Sequence, residues 1–332
     1  MIKYSFTSEF SYQNSHGIKA KFKNFLWGGT CIAKHGIPSK AFHFGGGLGD
    51  HLLCTSVFHE LAKRGIQNCW MLSHYPEIFQ NNPFGLKVVL DDWKTLKLLD
   101  KLRRPATLLF YTEWLKDLDQ VQSPKNHIIL EILKKCNING EVSLRPYWYE
   151  KKIKSPISLK DSYICIQSTL THSSTPMLNK QWKENRLIEC IKVLRKSYQI
   201  VQLGSKKESK LPLTTDGRGM SIPESATTLA NAQFFIGQVG FLMHLARAVD
   251  TRSVIIYGGR EKAWQSGYPC NENIETSPKC SPCWQNNKCE YDRQCMSDIS
   301  TKNLLIGVNR LEQRLSQELE IDTATIGVHS KN

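Results

Sequence analysis

Two α/β units, each carrying a mainly parallel sheet covered by helices on both faces and facing the other across a cleft, are predicted by three observations. Apolar, strand-like runs alternate with segments of helical period along the 332 residues. Two glycine-marked strand-to-helix turns, Phe42 to Leu53 and Phe234 to Val249, lie in separate halves of the chain. Between the halves, Leu144–Lys160 holds Pro146 and Pro156 among several lysines, the composition of a linker.

Taken in order, residues 1–37 are an aromatic and basic N-terminal extension. The first unit, 38–150, begins with strand Ala41–Phe44 and a helix over His51–Arg64, where Leu52, Leu53, Val57, Phe58 and Leu61 recur at helical spacing. Strands are expected at Asn68–Leu72, Lys87–Leu90 and Thr107–Tyr111, with helices at Lys116–Gln122 and His127–Cys136. A linker over 151–160 follows. The second unit, 161–332, has strands Tyr163–Gln167, Gln199–Leu203, Phe234–Ile236 and Ser253–Tyr257, with a cysteine-rich loop at 270–296. A chain this long can bury two cores.

Composition narrows the partners. A hydrophobic content of 40% is that of a soluble globular protein, there is no apolar run of the ~20 residues that span a bilayer, and Met1 to Phe6 lacks a secretory layout. A cytoplasmic location is expected. Eleven cysteines, several in apolar strand-like settings such as those of Cys54 and Cys165, fit a reducing compartment better than a disulfide scaffold. The formal charge of +14 fits a diphosphate-bearing substrate, or peripheral contact with the anionic face of an inner membrane, with scattered solvated lysine as the plain alternative. The cations are spread thinly (Lys101, Arg103, Arg104; Lys206, Lys207, Lys210) without base-stacking motifs, so no nucleic acid is expected.

The first turn, Gly45-Gly46-Gly47-Leu48-Gly49-Asp50, lets bare backbone N–H groups approach a ligand, because glycine takes up φ > 0 freely and has no side chain in the way. It leaves one carboxylate, Asp50, at the mouth of the cleft, either as a reacting group or as a helix cap. In the second turn, the N–H groups around Gly240, Phe241, Leu242 and Met243 open a helix and favour a phosphate. His244 reads either as a donor to a phosphate or sugar oxygen or as a satisfied core histidine.

Gly46-Gly47-Leu48-Gly49-Asp50, then Tyr75-Pro76-Glu77-Ile78-Phe79 and Asn81-Asn82-Pro83, resembles the N-terminal half of the heptosyltransferases of glycosyltransferase family 9. Gly237 to Ala246, Val254-Ile255-Ile256-Tyr257-Gly258, and Cys280-Ser281-Pro282-Cys283 to Cys295-Met296 resemble its C-terminal half. The resemblance implies a GT-B fold of two Rossmann-like domains, with a nucleotide-diphospho-sugar (ADP-linked heptose) on the C-terminal domain and a glycan, lipid-linked or protein acceptor on the N-terminal one. It implies inverting transfer, with Asp50 as the base that deprotonates the acceptor hydroxyl. Lys180 of Lys180-Gln181-Trp182 would neutralise the leaving diphosphate, with no metal or other cofactor needed for catalysis. Gly47, Gly49, Gly240, Phe241, Leu242, Met243 and His244 line the implied donor site. Ser168 and Thr169 supply hydroxyls to phosphate oxygens there, and Glu208 accepts from the ribose. Where the family commonly reads Asp-Ser-Gly or Asp-Thr-Gly, this chain has Val239-Gly240-Phe241, so a carboxylate expected to face the donor sugar is missing.

Cys280-x2-Cys283-x5-Cys289-x5-Cys295 has spacing suited to a closed tetrahedral zinc or iron site of structural role. Reduced or disulfide-linked structural thiols are the alternative, and the cysteines also resemble those of certain autotransporter heptosyltransferases that carry iron in a comparable knuckle. Beside catalysis, two other functions fit parts of the sequence: a non-catalytic nucleotide-sugar binder in a glycan assembly complex, and a basic nucleic-acid-binding protein. Asp50 and Lys180 together favour the enzyme.

Overall fold

The computed structural model describes residues 18–115, 120–149, 153–172 and 176–327. The first half runs α1 (Ile18–His35), β1 (Lys40–Phe44), α2 (Leu48–Leu53), α3 (Thr55–Lys63), β2 (Cys69–Leu72), β3 (Lys87–Val89), α4 (Trp93–Lys101), β4 (Thr107–Leu109), β5 (Trp114–Leu115), β6 (Gln120–Val121), α5 (Ile128–Lys134) and β7 (Gly140–Ser143). The second runs β8 (Tyr163–Gln167), α6 (Glu184–Leu194), β9 (Gln199–Gly204), β10 (Thr215–Arg218), α7 (Ile222–Ala230), β11 (Phe235–Gln238), α8 (Phe241–Ala248), β12 (Ser253–Gly258), α9 (Ala263–Ser266), β13 (Glu272–Glu275), α10 (Gln294–Ser297), α11 (Thr301–Glu312) and β14 (Thr323–Ile326).

Each half holds one parallel sheet, in strand order β3-β2-β1-β4 and β10-β9-β8-β11-β12-β13. Both faces of these sheets are apolar because helices cover both, as crossover connections require. Ala41, Trp70, Leu72 and Val89 pack outward against Cys31 of α1 and Leu99 of α4. Ile164, Ile166, Ile236 and Val254 pack against α6 and α11. A third cluster is continuous from Phe42, Phe44 and Val57 through Ile129 to Leu242, Met243 and Tyr268, so the inner faces of both sheets share one core. The last described strand, β14, returns to pair antiparallel with β7 of the first half.

Three local outcomes differ from the sequence pattern. Part of the expected extension is α1, which closes the outer face of the first sheet; residues 1–17 lie outside the described residues. The helix expected over His51–Arg64 begins earlier and divides at Cys54. There the Thr55 and Ser56 hydroxyls each donate at 2.6 Å to carbonyls three residues back (Leu52 and Leu53), offering the backbone a competing partner. Gln120–Val121, expected to be helical, is strand β6, held extended by pairing with β5 and by the Val121 N–H donating to the Trp284 carbonyl at 3.2 Å. Of the rest of that expected helix, Gln122 is not helical, its N–H donating to the Glu113 carbonyl at 2.8 Å, and 116–119 lie outside the described residues. Among the described residues no helix is long and apolar enough to cross a membrane.

Candidate active site

The two glycine-opened helices meet. Gly49 of α2 lies against the start of α8, where a Cβ on it would stand 3.5 Å from the Phe241 Cα and 3.8 Å from His244. Neither Gly46 nor Gly49 has a positive φ, and Gly240 is extended at φ 172°, so conformational freedom is not what these positions require. Space is. A Cβ on Gly46 would collide with the Asp50 carboxylate, and one on Gly240 would fall 3.0 Å from Leu170. Gly46 thus makes room for the acid, Gly49 lets the two lobes touch, and Gly240 leaves room for Leu170 within its own lobe.

Asp50 sits in the first turn of α2, and its Oδ2 accepts from the Gly47 N–H at 2.7 Å. It is therefore a helix cap and a cleft residue at once. Burial pushes its carboxyl above the usual carboxylate range, opposed by the Gly47 N–H, by the Tyr111 hydroxyl that hydrogen-bonds to it, and by the Lys180 charge. A carboxyl raised in this way has more affinity for a proton at neutral pH than a solvated aspartate.

Across the cleft, Lys180 ends a single 3-10 turn, Leu178–Lys180. The turn is fixed from both sides. Buried Asn179 donates to the Gln285 and Lys288 carbonyls at 3.2 and 2.7 Å and accepts from Arg293, which ties the turn to the cysteine-rich loop. Gln181 accepts from the Thr169 hydroxyl, the Trp182 N–H donates to the Gln238 carboxamide oxygen, and the buried Trp182 indole donates to the Ile299 carbonyl. Lys180 itself is paired with Glu261 at 2.6 Å, with only 12% and 3% of the two side chains exposed. Glu261 also accepts from Arg260 at 3.0 Å and from the Ser266 hydroxyl at 2.8 Å. Desolvation would raise the Glu261 carboxyl, but the Lys180 and Arg260 charges hold it down to about 2. Burial lowers Lys180 from the ordinary lysine value, opposed by Glu261.

Asp50, Tyr111, Lys180 and Glu261 form one electrostatic group, each of the first three sensing Glu261. Two of the four, Tyr111 and Glu261, are absent from the sequence-derived site. Tyr111 stands two residues past a strand end and has no motif; Glu261 hides in Gly258-Gly259-Arg260-Glu261, three residues after β12. A carboxylate at a strand's carboxyl end was the only available signal. Val239, where a carboxylate is missing, is buried in the shared core.

The other expected donor residues divide. Leu242, Met243 and His244 are buried, and the N–H groups of Gly240 to Met243 open α8 toward α2. His244 is neutral: burial and then the Lys180 charge lower it to about 3, and its Nδ1 is 2.6 Å from the Tyr268 hydroxyl. Ser168 donates to Glu208 at 2.9 Å, and Glu208 also accepts from the Ser205 N–H at 2.7 Å. Gly204, at φ +143°, leaves the space this carboxylate fills. Thr169 lines a cleft of about 540 Å3 together with His172, Gln181 and Arg293, beside the Lys180 turn. Gly47 contributes the N–H already described.

The four loop cysteines are free thiols in partly exposed positions. Cys283 senses Cys280 and Cys289, and Cys295 senses Cys283 and Cys289, so they are neighbours. Among the described residues, however, no three His, Cys, Asp or Glu side chains are arranged to hold a metal ion.

This architecture of two parallel sheets sharing one core is found in solved glycosyltransferases. The chain has the GT-B fold. The iron-containing dodecameric glycosyltransferase TibC of enterotoxigenic E. coli superposes with a TM-score of 0.61 at 18% identity, covering 84% of this chain and 79% of that one. E. coli ADP-heptose lipopolysaccharide heptosyltransferase II gives 0.57 at 12% identity, covering 83% and 99%. A glycosyltransferase family 9 protein of Veillonella parvula gives 0.57 at 13%, covering 83% and 97%. No family model matches the sequence, and no curated protein matches it.

Proposed function

We propose that the protein is an inverting glycosyltransferase that moves a sugar, heptose, from an ADP-linked donor to a hydroxyl of a glycan, lipopolysaccharide or protein acceptor. The observation that carries this reading is the juxtaposition, within electrostatic reach of one another, of a carboxylate with raised proton affinity, Asp50, and a buried ammonium, Lys180. Asp50 takes the acceptor proton as the hydroxyl attacks the anomeric carbon. The diphosphate leaves toward Lys180 and the N–H groups at the start of α8, where a preorganised charge and dipole stabilise the negative charge that develops. ADP-linked heptose is supported by TibC, solved in complex with ADP-D-beta-D-heptose on the same fold at a TM-score of 0.62 and 17% identity. The cleft beside Thr169, at about 540 Å3, is of a size that takes a nucleoside. Val239 in place of a carboxylate speaks for a non-catalytic binder, but Glu261 supplies a second buried carboxylate to the site.

A structural zinc or iron on Cys280, Cys283, Cys289 and Cys295 belongs to the same reading, supported by the soft thiol donors and by iron in TibC. Those thiols would have to draw together to bind it, and its part would be to order the loop that anchors Asn179. A cytoplasmic setting is supported by buried free thiols such as Cys54 and Cys165, and peripheral contact with an anionic membrane face by the charge of +14.

The test is product mass spectrometry after purified protein is offered ADP-heptose and other activated sugars with cell-envelope extracts. An acceptor mass increment of one heptose supports the reading. No increment with any donor, together with no stabilisation by ADP, overturns it; ligand at 100 times its dissociation constant adds ~2.7 kcal/mol.

A further inference from the structure

Lys180 does not wait in the cleft as a free cation. Its ammonium is 2.6 Å from Glu261, and that carboxylate has partners of its own in Arg260 at 3.0 Å and Ser266 at 2.8 Å. Arg260 is in turn locked to the cysteine-rich loop, through the Gln285 carbonyl at 2.9 Å and the Asn286 side chain at 2.7 Å. Were Lys180 to turn away, Glu261 would still be held by a guanidinium and a hydroxyl, so no buried anion would be stranded. Were Glu261 absent, Lys180 would be a desolvated ammonium close to the like charge of Arg260, with only Asp50 as a counter-charge among the groups acting on it.

We infer that Glu261 is a positioning residue, a built-in counter-ion that holds Lys180 charged and in place until the donor's diphosphate takes it over. This rests on the glycosyltransferase reading for the identity of the incoming anion, but not for the state of Lys180. The groups that bear on that lysine are Glu261, Arg260 and Asp50; His244 senses both Lys180 and Glu261 but is neutral, and Tyr111 bonds to Asp50. None of them can replace Glu261, because Asp50 is engaged by Gly47 and Tyr111 on the opposite lobe. With the carboxylate removed, the lysine loses its proton more readily, and an uncharged amine neither attracts a diphosphate nor resists acylation.

Two measurements on Glu261→Gln separate this inference from the reading beneath it. The first needs no nucleotide: acetic anhydride labelling of Lys180, followed by peptide mass spectrometry between pH 6 and 9. The Gln variant is expected to label about tenfold faster than wild type at pH 7.5, the size of a one-unit fall in proton affinity, while Glu261→Asp stays near wild type. The second is calorimetric ADP binding over the same range, where the variant's affinity falls about tenfold per pH unit above the lysine's new midpoint and the wild type's stays flat. Unchanged labelling of Lys180 in folded Gln variant, or equal acceleration in the Asp variant, overturns the inference. If the Gln variant does not fold, Asp labelling at the Gln-predicted rate is the overturning result and wild-type-like labelling is the supporting one. If labelling behaves as expected but wild type binds no ADP, the donor assignment fails and the positioning role of Glu261 stands.

Discussion

Replacing Tyr111 by phenylalanine isolates the hydrogen bond that the sequence did not disclose. The Tyr111 hydroxyl bonds to the Asp50 carboxylate, favouring its charged form against the burial that disfavours it. A hydrogen bond to a charged group is worth ~1.5–3 kcal/mol, and one pH unit corresponds to ~1.36 kcal/mol, so its loss raises the Asp50 carboxyl by about one to two units. The sign follows from the base role: Asp50 works deprotonated, so activity appears as pH rises through its titration, and a raised value moves that rise to higher pH. The acid limb of kcat/KM, which reports the free enzyme, is therefore expected to shift upward by about one to two units. The alkaline plateau should be largely kept, since the phenylalanine ring preserves packing against Phe44, 6.1 Å away between centroids. An acid limb that stays where it was in a normally folded Tyr111→Phe variant would show that Asp50 is not the titrating base or that Tyr111 does not hold it. The same variant's circular dichroism and thermal midpoint separate a moved base from a damaged fold.

Four further outcomes are expected. Asp50→Asn should abolish transfer while ADP binding stays close to wild type, whereas Lys180→Ala should weaken both; turnover retained by the Asp50 variant in a steady-state assay would remove it as the base. Gly46→Ala drives a methyl into the Asp50 carboxylate, so turnover should collapse with only a modest loss of thermal stability, and an unchanged rate would count against the arrangement of that turn. Arg64→Ala strips the closest partner, at 2.6 Å, from the fully buried Glu60 but leaves it Lys63 at 3.4 Å and the Ser143 N–H at 3.1 Å, and chemical denaturation should show a loss of about 1.5–3 kcal/mol. Elemental analysis of protein purified without chelator should find zinc or iron near stoichiometry, and less than about a tenth of an equivalent would end the metal proposal.

The sequence by itself determined the two parallel sheets, because strands buried on both faces must be continuously apolar and the crossovers between them must be helical in period. Strands such as Tyr163–Gln167 and Ser253–Gly258 were legible for that reason. It also pointed to Asp50 and Lys180, each carried by a short local pattern. What only the tertiary structure decided is how those patterns meet. Gln120 and Val121 are extended because the cysteine-rich loop pairs with them, and the glycines at 46, 49 and 240 serve space rather than positive φ because side chains or a second helix occupy the volume beside them. Tyr111 and Glu261 join the site through contacts that span the fold, 61 positions from Asp50 in one case and 81 from Lys180 in the other. A sequence fixes the chemistry of each side chain, whereas burial and neighbouring charge, which set its proton affinity, exist only once the chain has folded.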